Sequence, residues 1–330
     1  MKKIISVLLA VILCLGVLAG CGTTNENEVV AKVGDETITV GELKYAIETV
    51  KMQSVGQLQG DDVEEFWTTE KDGRDAETYI REKGMELLVN IAVMAQAAKD
   101  NGISITSSEV DDYLTENKES IQQTMETYNV SKDAIKNIAR KQLLYNKYGE
   151  RVLAASEEFN PDEETIKTIF SENFLKAQHI LKMTVNSETG EPLSSEEADA
   201  KKAEIDNLLK QAKSGADFTA LMNEHSEDPG KEQSPEGYVF TEGEMVPEFY
   251  EGTKALSENE ISEVIPSSYG YHIIKRIPLN VEKDLQDNMT KVQYLFMQMA
   301  EEKHVEELKK TIPISQDDAK IQAIPVRENN

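Results

Sequence analysis

The apolar residues of this 330-residue chain change period twice, and those two changes limit its architecture more tightly than any other feature. From Val29 to about residue 172 they recur at helical spacing, with Tyr79, Ile80, Leu87, Leu88, Ile91, Ala92, Met94 and Ala95 in one run and Ile135, Ile138, Leu143, Leu144 and Tyr148 in another. At Lys176 the pattern shortens. Strand-like segments follow at 178–184, 238–240, 261–265 and 271–277, separated by helices from Ser194, Asp217 and Pro247 and by Gly/Pro-rich turns. From Glu282 to Lys310 the helical period returns. The order predicts an α+β chain, with a small sheet-containing module of about 100 residues between helical stretches.

Local signals place the boundaries. Val29 to Thr39 alternates and turns at Gly34-Asp35 like a hairpin, and Thr39-Val40-Gly41-Glu42 is a capping box that opens a helix carrying Leu43, Tyr45, Ala46 and Val50. Ser54 to Gly73 reads as loop-like at its start and polar throughout. Asp75 to Asn101 reads as a long helix stopped by Gly102. A capping box at Thr106-Ser107-Ser108-Glu109 predicts one helix to about Tyr128, and Ser131 opens the next. Asn160-Pro161 predicts a further helix with proline at its first position. The end of the chain, after Lys310, reads as a polar, Pro-punctuated tail.

The first twenty residues carry an address. Lys2 and Lys3 precede an apolar run from Ile4 to Leu18, and Leu18-Ala19-Gly20 places small residues before Cys21. The run is shorter than the roughly 20 residues a spanning helix needs. It resembles a bacterial lipoprotein signal, which implies cleavage before Cys21, lipid on that cysteine, and a chain tethered to the extracytoplasmic face of a cell membrane. Cys14 lies within the leader, so the mature chain has one thiol and no internal disulfide, and the fold must rest on packing. The formal net charge is −26, and losing Lys2 and Lys3 makes the mature chain more acidic. Such a surface repels nucleic acid and anionic lipid; it suits the solubility of an exported chain, the alternative being a surface for cationic or unfolded clients.

Chemistry concentrates in the middle module. Ala177-Gln178-His179-Ile180-Leu181 and Gly270-Tyr271-His272-Ile273-Ile274 each set a histidine among residues suited to a pleated, half-buried surface, and two such strands side by side bring both imidazoles together. Between them lie Ser226-Glu227-Asp228 and Met245-Val246-Pro247-Glu248-Phe249. Each has a plainer reading. A histidine on an apolar strand is ordinarily a satisfied core residue, Met245 and Phe249 at i and i+4 are ordinarily core, and Asp228 beside Pro229-Gly230 shapes a turn. His225 and His304 read as surface residues. No His/Cys/carboxylate spacing suggests a metal, and no nucleotide or dinucleotide fingerprint is present, so no cofactor is expected.

Taken in order, these motifs over residues 173–279 resemble the parvulin family of peptidyl-prolyl isomerases. The resemblance implies a first strand with His179, a short helix with Phe218 and Leu221, and Ser226 and Asp228 where parvulins carry Asp or Cys. It also implies a proline pocket of Met245 and Phe249, with Tyr238 or Phe240 as further wall, and a last strand with His272. The Gly-Gly-Asp-Leu-Gly stretch usual in the family is replaced by Ser234-Pro235-Glu236-Gly237-Tyr238. The order of parts resembles PrsA-type foldase lipoproteins and SurA-like chaperones, in which a helical chaperone domain is split around the parvulin module. That implies a signal peptide over 1–20, a tether over 21–28, a helical chaperone portion over 29–172, the isomerase over 173–279, and a completing helix with its tail over 280–330.

Rotating an X-Pro amide needs no covalent step. Its barrier of about 18–20 kcal/mol comes from amide resonance, and uncatalysed exchange takes about 10–100 seconds. A site that binds the twisted amide better than either planar form lowers that barrier. An apolar pocket holds the pyrrolidine ring, His179 and His272 act as a hydrogen-bonded support rather than an acid/base couple, and Asp228 and Ser226 polarise the rim. The expectation is a membrane-anchored foldase acting on unfolded or partly folded exported proteins containing X-Pro bonds; the alternative is a non-catalytic holdase with a degenerate parvulin domain. The long helices, with modest apolar faces, suit a homodimer through the helical domain or a client cleft. A solute-binding lipoprotein would need two α/β lobes, and the helical first half argues against it.

Overall fold

The computed structural model describes residues 25–56, 58, 61–187 and 189–327. It divides into two compact units, one running to Asn160 and resuming at Met299, the other Pro161–Gln298. The leader and Cys21, with the lipid expected there, lie outside the described residues.

The first unit opens with strands β1 (Val29–Val33) and β2 (Glu36–Thr39), paired antiparallel through the Gly34-Asp35 turn. Thr39 then caps helix α1 (Val40–Val55), its side chain accepting from the Glu42 N–H while Glu42 accepts from the Thr39 N–H. Beyond the loop-like start, the polar stretch 54–73 holds a helix, α2 (Asp61–Thr68). Phe66 is buried there, its ring edge-on to that of Trp67. Helix α3 (Ala76–Asp100) lies where expected, and the Asp75 side chain caps it by accepting from the Thr78 N–H.

The single helix expected from Thr106 to Tyr128 is two, α4 (Ser107–Glu116) and α5 (Lys118–Tyr128). They part at Asn117, whose backbone leaves the helical region and whose side chain donates to the Tyr113 carbonyl. Helix α6 (Lys132–Arg151) starts after Ser131 and packs with α1 and α3. Two buried carboxylates stitch this layer together: Glu42 pairs with Lys141, and Glu36 with Lys99 and Arg140.

In the second unit α7 (Glu163–Asn173) begins two residues later than Pro161, because Asp162 is the residue whose side chain accepts from a helical N–H, that of Thr165. Then come β3 (Leu175–Met183), α8 (Ser195–Lys213), α9 (Phe218–His225), β4 (Tyr238–Phe240), α10 (Pro247–Lys254), β5 (Ile265–Ser267) and β6 (Gly270–Arg276). The strand expected over 261–265 is reduced to an isolated bridge at Ile261, and pairing resumes at Ile265. The sheet is antiparallel in the order β4-β3-β6-β5. Ile180 and Ile273 face the cluster made with α8 and α9, including Ile205, Phe218 and Met222. On the other face Leu175, Ala177 and Ile274 pack with Phe240, Phe249 and Tyr250. The alternation along β3 and β6 divides the two clusters.

Helix α11 (Val281–Lys309) leads back to the first unit, where β7 (Ile314–Gln316) and α12 (Asp318–Gln322) follow. The expected polar tail is therefore structural: β7 adds to β1, making a sheet in the order β2-β1-β7, and Ile312, Ile321, Ile324 and Val326 are buried. Arg81 holds it, donating to the Ile324 carbonyl and the Gln322 side chain. His304 is likewise no free surface residue. It is half-buried against the Phe159 ring, with Nε2 3.1 Å from the Tyr148 hydroxyl.

Candidate active site

The register of β3 on β6 places His179 opposite Ile274 and His272 opposite Leu181, so both imidazoles stand on one face with the Ile180–Ile273 pair between them. The rings stack at 5.4 Å with 18° between planes, and their Nδ1 atoms are 3.2 Å apart. Both residues are buried, His179 to 7 % exposure and His272 to 4 %. The Phe249 ring from α10 meets both edge-on, at 5.0 Å from His179 and 5.6 Å from His272. Phe249 is placed by the turn of helix that Pro247 starts, with Met245 just ahead of it, half-buried against the same cluster.

A hydrogen-bonded chain runs through the pair. Asp228 Oδ2 is 2.9 Å from His179 Nε2, and His272 Nε2 is 2.7 Å from Ser267 Oγ. Asp228 also accepts from the Tyr238 hydroxyl at 2.6 Å and the Gly230 N–H at 3.0 Å. Burial works against its charge, but the bonds from His179, Tyr238 and Gly230 prevail and hold its carboxyl at about 2. Burial and the neighbouring Asp228 carboxylate push the Tyr238 hydroxyl up. His272 goes the other way: burial, and then the His179 imidazole beside it, lower it to about 4. His272 is thus a neutral ring at neutral pH.

Three expected site residues sit differently. Leu221 packs with Ile180 and Phe218 in the cluster on the opposite face of the sheet, because α9 covers that face, and so does not line the site. Phe240 is fully buried beneath Phe249, ring centroids 5.6 Å apart, and backs the wall without reaching its surface. Ser226, 5 % exposed, polarises nothing at the rim: its Oγ accepts from the backbone N–H of Leu181 at 3.1 Å and of Asp228 at 3.4 Å. It ties the loop to β3 and so aims Asp228. The Ser234–Tyr238 segment is a turn held by the Gln178 side chain on the Pro235 carbonyl, and it delivers Tyr238 into β4. Ser267 was not expected; only its place five residues before His272, in a Ser-Ser turn, marks it in the sequence.

Among the described residues no group of His, Cys, Asp and Glu is placed to hold a metal ion, and no helix is long and apolar enough to cross a membrane. What the geometry offers is an aromatic and thioether wall beside two stacked, internally bonded histidines.

Comparison with known proteins agrees in both parts. A model of the PPIC-type PPIase domain matches residues 164–277, and one of the SurA-like N-terminal domain matches residues 1–149. The chain is similar to the foldase protein PrsA of Caldanaerobacter subterraneus subsp. tengcongensis, 28% identical over 286 residues that cover 86% of this chain and 85% of the relative. It is similar to PrsA of Clostridium tetani at 25% over 303 residues, covering 84% and 82%, and to PrsA 4 of Bacillus cereus at 37% over 114 residues, covering 34% and 38%. The chain therefore carries a parvulin-type peptidyl-prolyl isomerase domain and a SurA-like N-terminal domain, and is similar to PrsA-type foldases.

Proposed function

We propose that this protein, tethered outside the cytoplasm by lipid on Cys21, isomerises X-Pro bonds in exported proteins as they fold. The observation that carries the reading is the Phe249 ring standing edge-on to both His179 and His272 with Met245 beside it. Such a wall takes the pyrrolidine ring in a partly dry site, where the twisted amide, having less charge separation than the planar forms, is favoured. The histidines support this geometry. Their nitrogens are engaged with each other, Asp228 and Ser267, which leaves them little part in moving protons. Asp228, ionised through the neutral range, supplies a fixed negative charge at one end of the site.

The helical unit suits the binding of unfolded clients. An open groove of about 820 Å³ runs along α4 and α5, lined by Leu114, Ile121, Met125 and Val130 together with charged residues such as Lys118 and Glu126. Dimerisation through this unit belongs to the same reading, and the mass of the protein in solution checks it.

A protease-coupled assay of the full chain on a short X-Pro peptide tests catalysis. The expected result is a rate that rises with enzyme and falls at least about tenfold in kcat/KM for a folded Phe249→Ala variant, since that ring contributes ~1.5–3 kcal/mol of apolar contact. No rate above background at high enzyme would remove the isomerase and leave a holdase.

A further inference from the structure

Tyr238 does what an apolar wall residue does not. It enters β4 opposite Ala177, with its ring edge-on to His179 at 5.7 Å. Its hydroxyl reaches Asp228 Oδ2 at 2.6 Å, the same oxygen that meets His179 Nε2, while Oδ1 takes the Gly230 N–H. The hydroxyl has room only because residue 230 is glycine: a Cβ there would stand 2.3 Å from the Tyr238 oxygen. Two positions eight residues apart thus converge on one carboxylate. A carboxylate gripped by three donors has both oxygens directed and is held as an ion; with one donor fewer, it can turn about its bond and exchange partners.

We propose that Tyr238 is a positioning residue of the isomerase site: its hydroxyl, seated in the space left by Gly230, locks Asp228 so that His179 keeps its proton on Nε2 and the chain from Asp228 to Ser267 holds one arrangement of protons. The rest follows from counting donors and acceptors. With both rings neutral, His179 Nδ1 is an acceptor, His272 Nδ1 donates to it across 3.2 Å, and His272 Nε2 accepts from the Ser267 hydroxyl at 2.7 Å. Ser267 Oγ in turn accepts from the Tyr269 N–H at 3.2 Å. Each ring nitrogen is spent inside the chain, so the pair offers the bound amide a fixed shape and no mobile proton.

The inference rests on the isomerase reading, and one readout does not depend on activity. In the full chain with ¹⁵N-labelled histidine, the neutral His179 ring is expected to show a protonated Nε2 and a bare Nδ1. In Tyr238→Phe, which keeps the ring, the two His179 signals are expected to move toward tautomer-averaged values. In the same variant kcat falls about tenfold, the size of one charge-assisted hydrogen bond, with KM little changed. Gly230→Ala, which displaces the hydroxyl, is expected to reproduce both effects, and the double variant to be no worse than either single one. A wild-type His179 spectrum in Tyr238→Phe, or additive losses in the double variant, would overturn the proposal even where isomerase activity stands. An inactive wild-type chain with the expected tautomer change would sink the isomerase reading instead.

Discussion

Burial beside Phe249 and the partner imidazole sets the folded protein against protonating His272, lowering its pKa from 6.5 to about 4. The unfolded chain therefore binds this proton more tightly than the folded one. His272 contributes stability that is fully present above about pH 6.5 and lost as the pH falls toward 4, on the order of 3 kcal/mol in all. Chemical denaturation at steps across that window is expected to show the decline, and a His272→Gln variant to show a flatter one. Asp228, lowered to about 2, adds a second loss only below about pH 3.8. At this scale the sequence was a good guide to which side chains meet and a poor one to what each does. His179, His272, Asp228, Met245 and Phe249 come together as their motifs suggest. Ser226 turned out to bond backbone, and Ser267 and the Tyr238 hydroxyl entered unannounced, because hydrogen-bond partners depend on where loops deliver their atoms.

The helices of the first unit are fastened by a pair that no periodicity reveals. Lys141 on α6 and Glu42 on α1 are 2 % and 0 % exposed and bond directly, while the other Glu42 oxygen caps its own helix through the Thr39 N–H. Lys141→Met leaves that carboxylate buried without its cation, which is expected to cost about 3–5 kcal/mol in denaturant unfolding. Replacing Glu42 by Gln in the same protein should recover much of the loss, since a neutral amide keeps the cap without the stranded charge. Elements with a cap and a clear apolar stripe, such as α3 behind Asp75 and α8 behind Ser194, were legible residue by residue. Others were not: α2, which buries Phe66, lies within a polar stretch, and the α4–α5 break falls at Asn117, whose side chain bonds the Tyr113 carbonyl.

For the whole molecule, the first unit closes only when its two ends meet. β1 near residue 30 pairs with β7 near residue 315, so this sheet is completed across the entire isomerase module. Closing so long a loop costs only slowly more than closing a short one, which makes the insertion tolerable, but the final strand and its buried Ile312, Ile321, Ile324 and Val326 must be present. Deleting residues 312–330 is expected to lower the first unfolding transition in calorimetry while the transition of the 161–298 unit stays in place. Loss of both together would mean the units do not unfold separately.

The sequence by itself determined the class of every long element, the nesting of a small α+β module between helical stretches, and the pair of histidine strands, since each of these follows from local periodicity, caps and turn residues. Tertiary structure alone decided that Leu221 faces away from the site, that the tail is a strand, and that Tyr238 bonds Asp228. Those outcomes depend on which sheet face, which strand edge and which loop end come within about 3 Å of each other, a question of long-range packing that no stretch of neighbouring residues encodes.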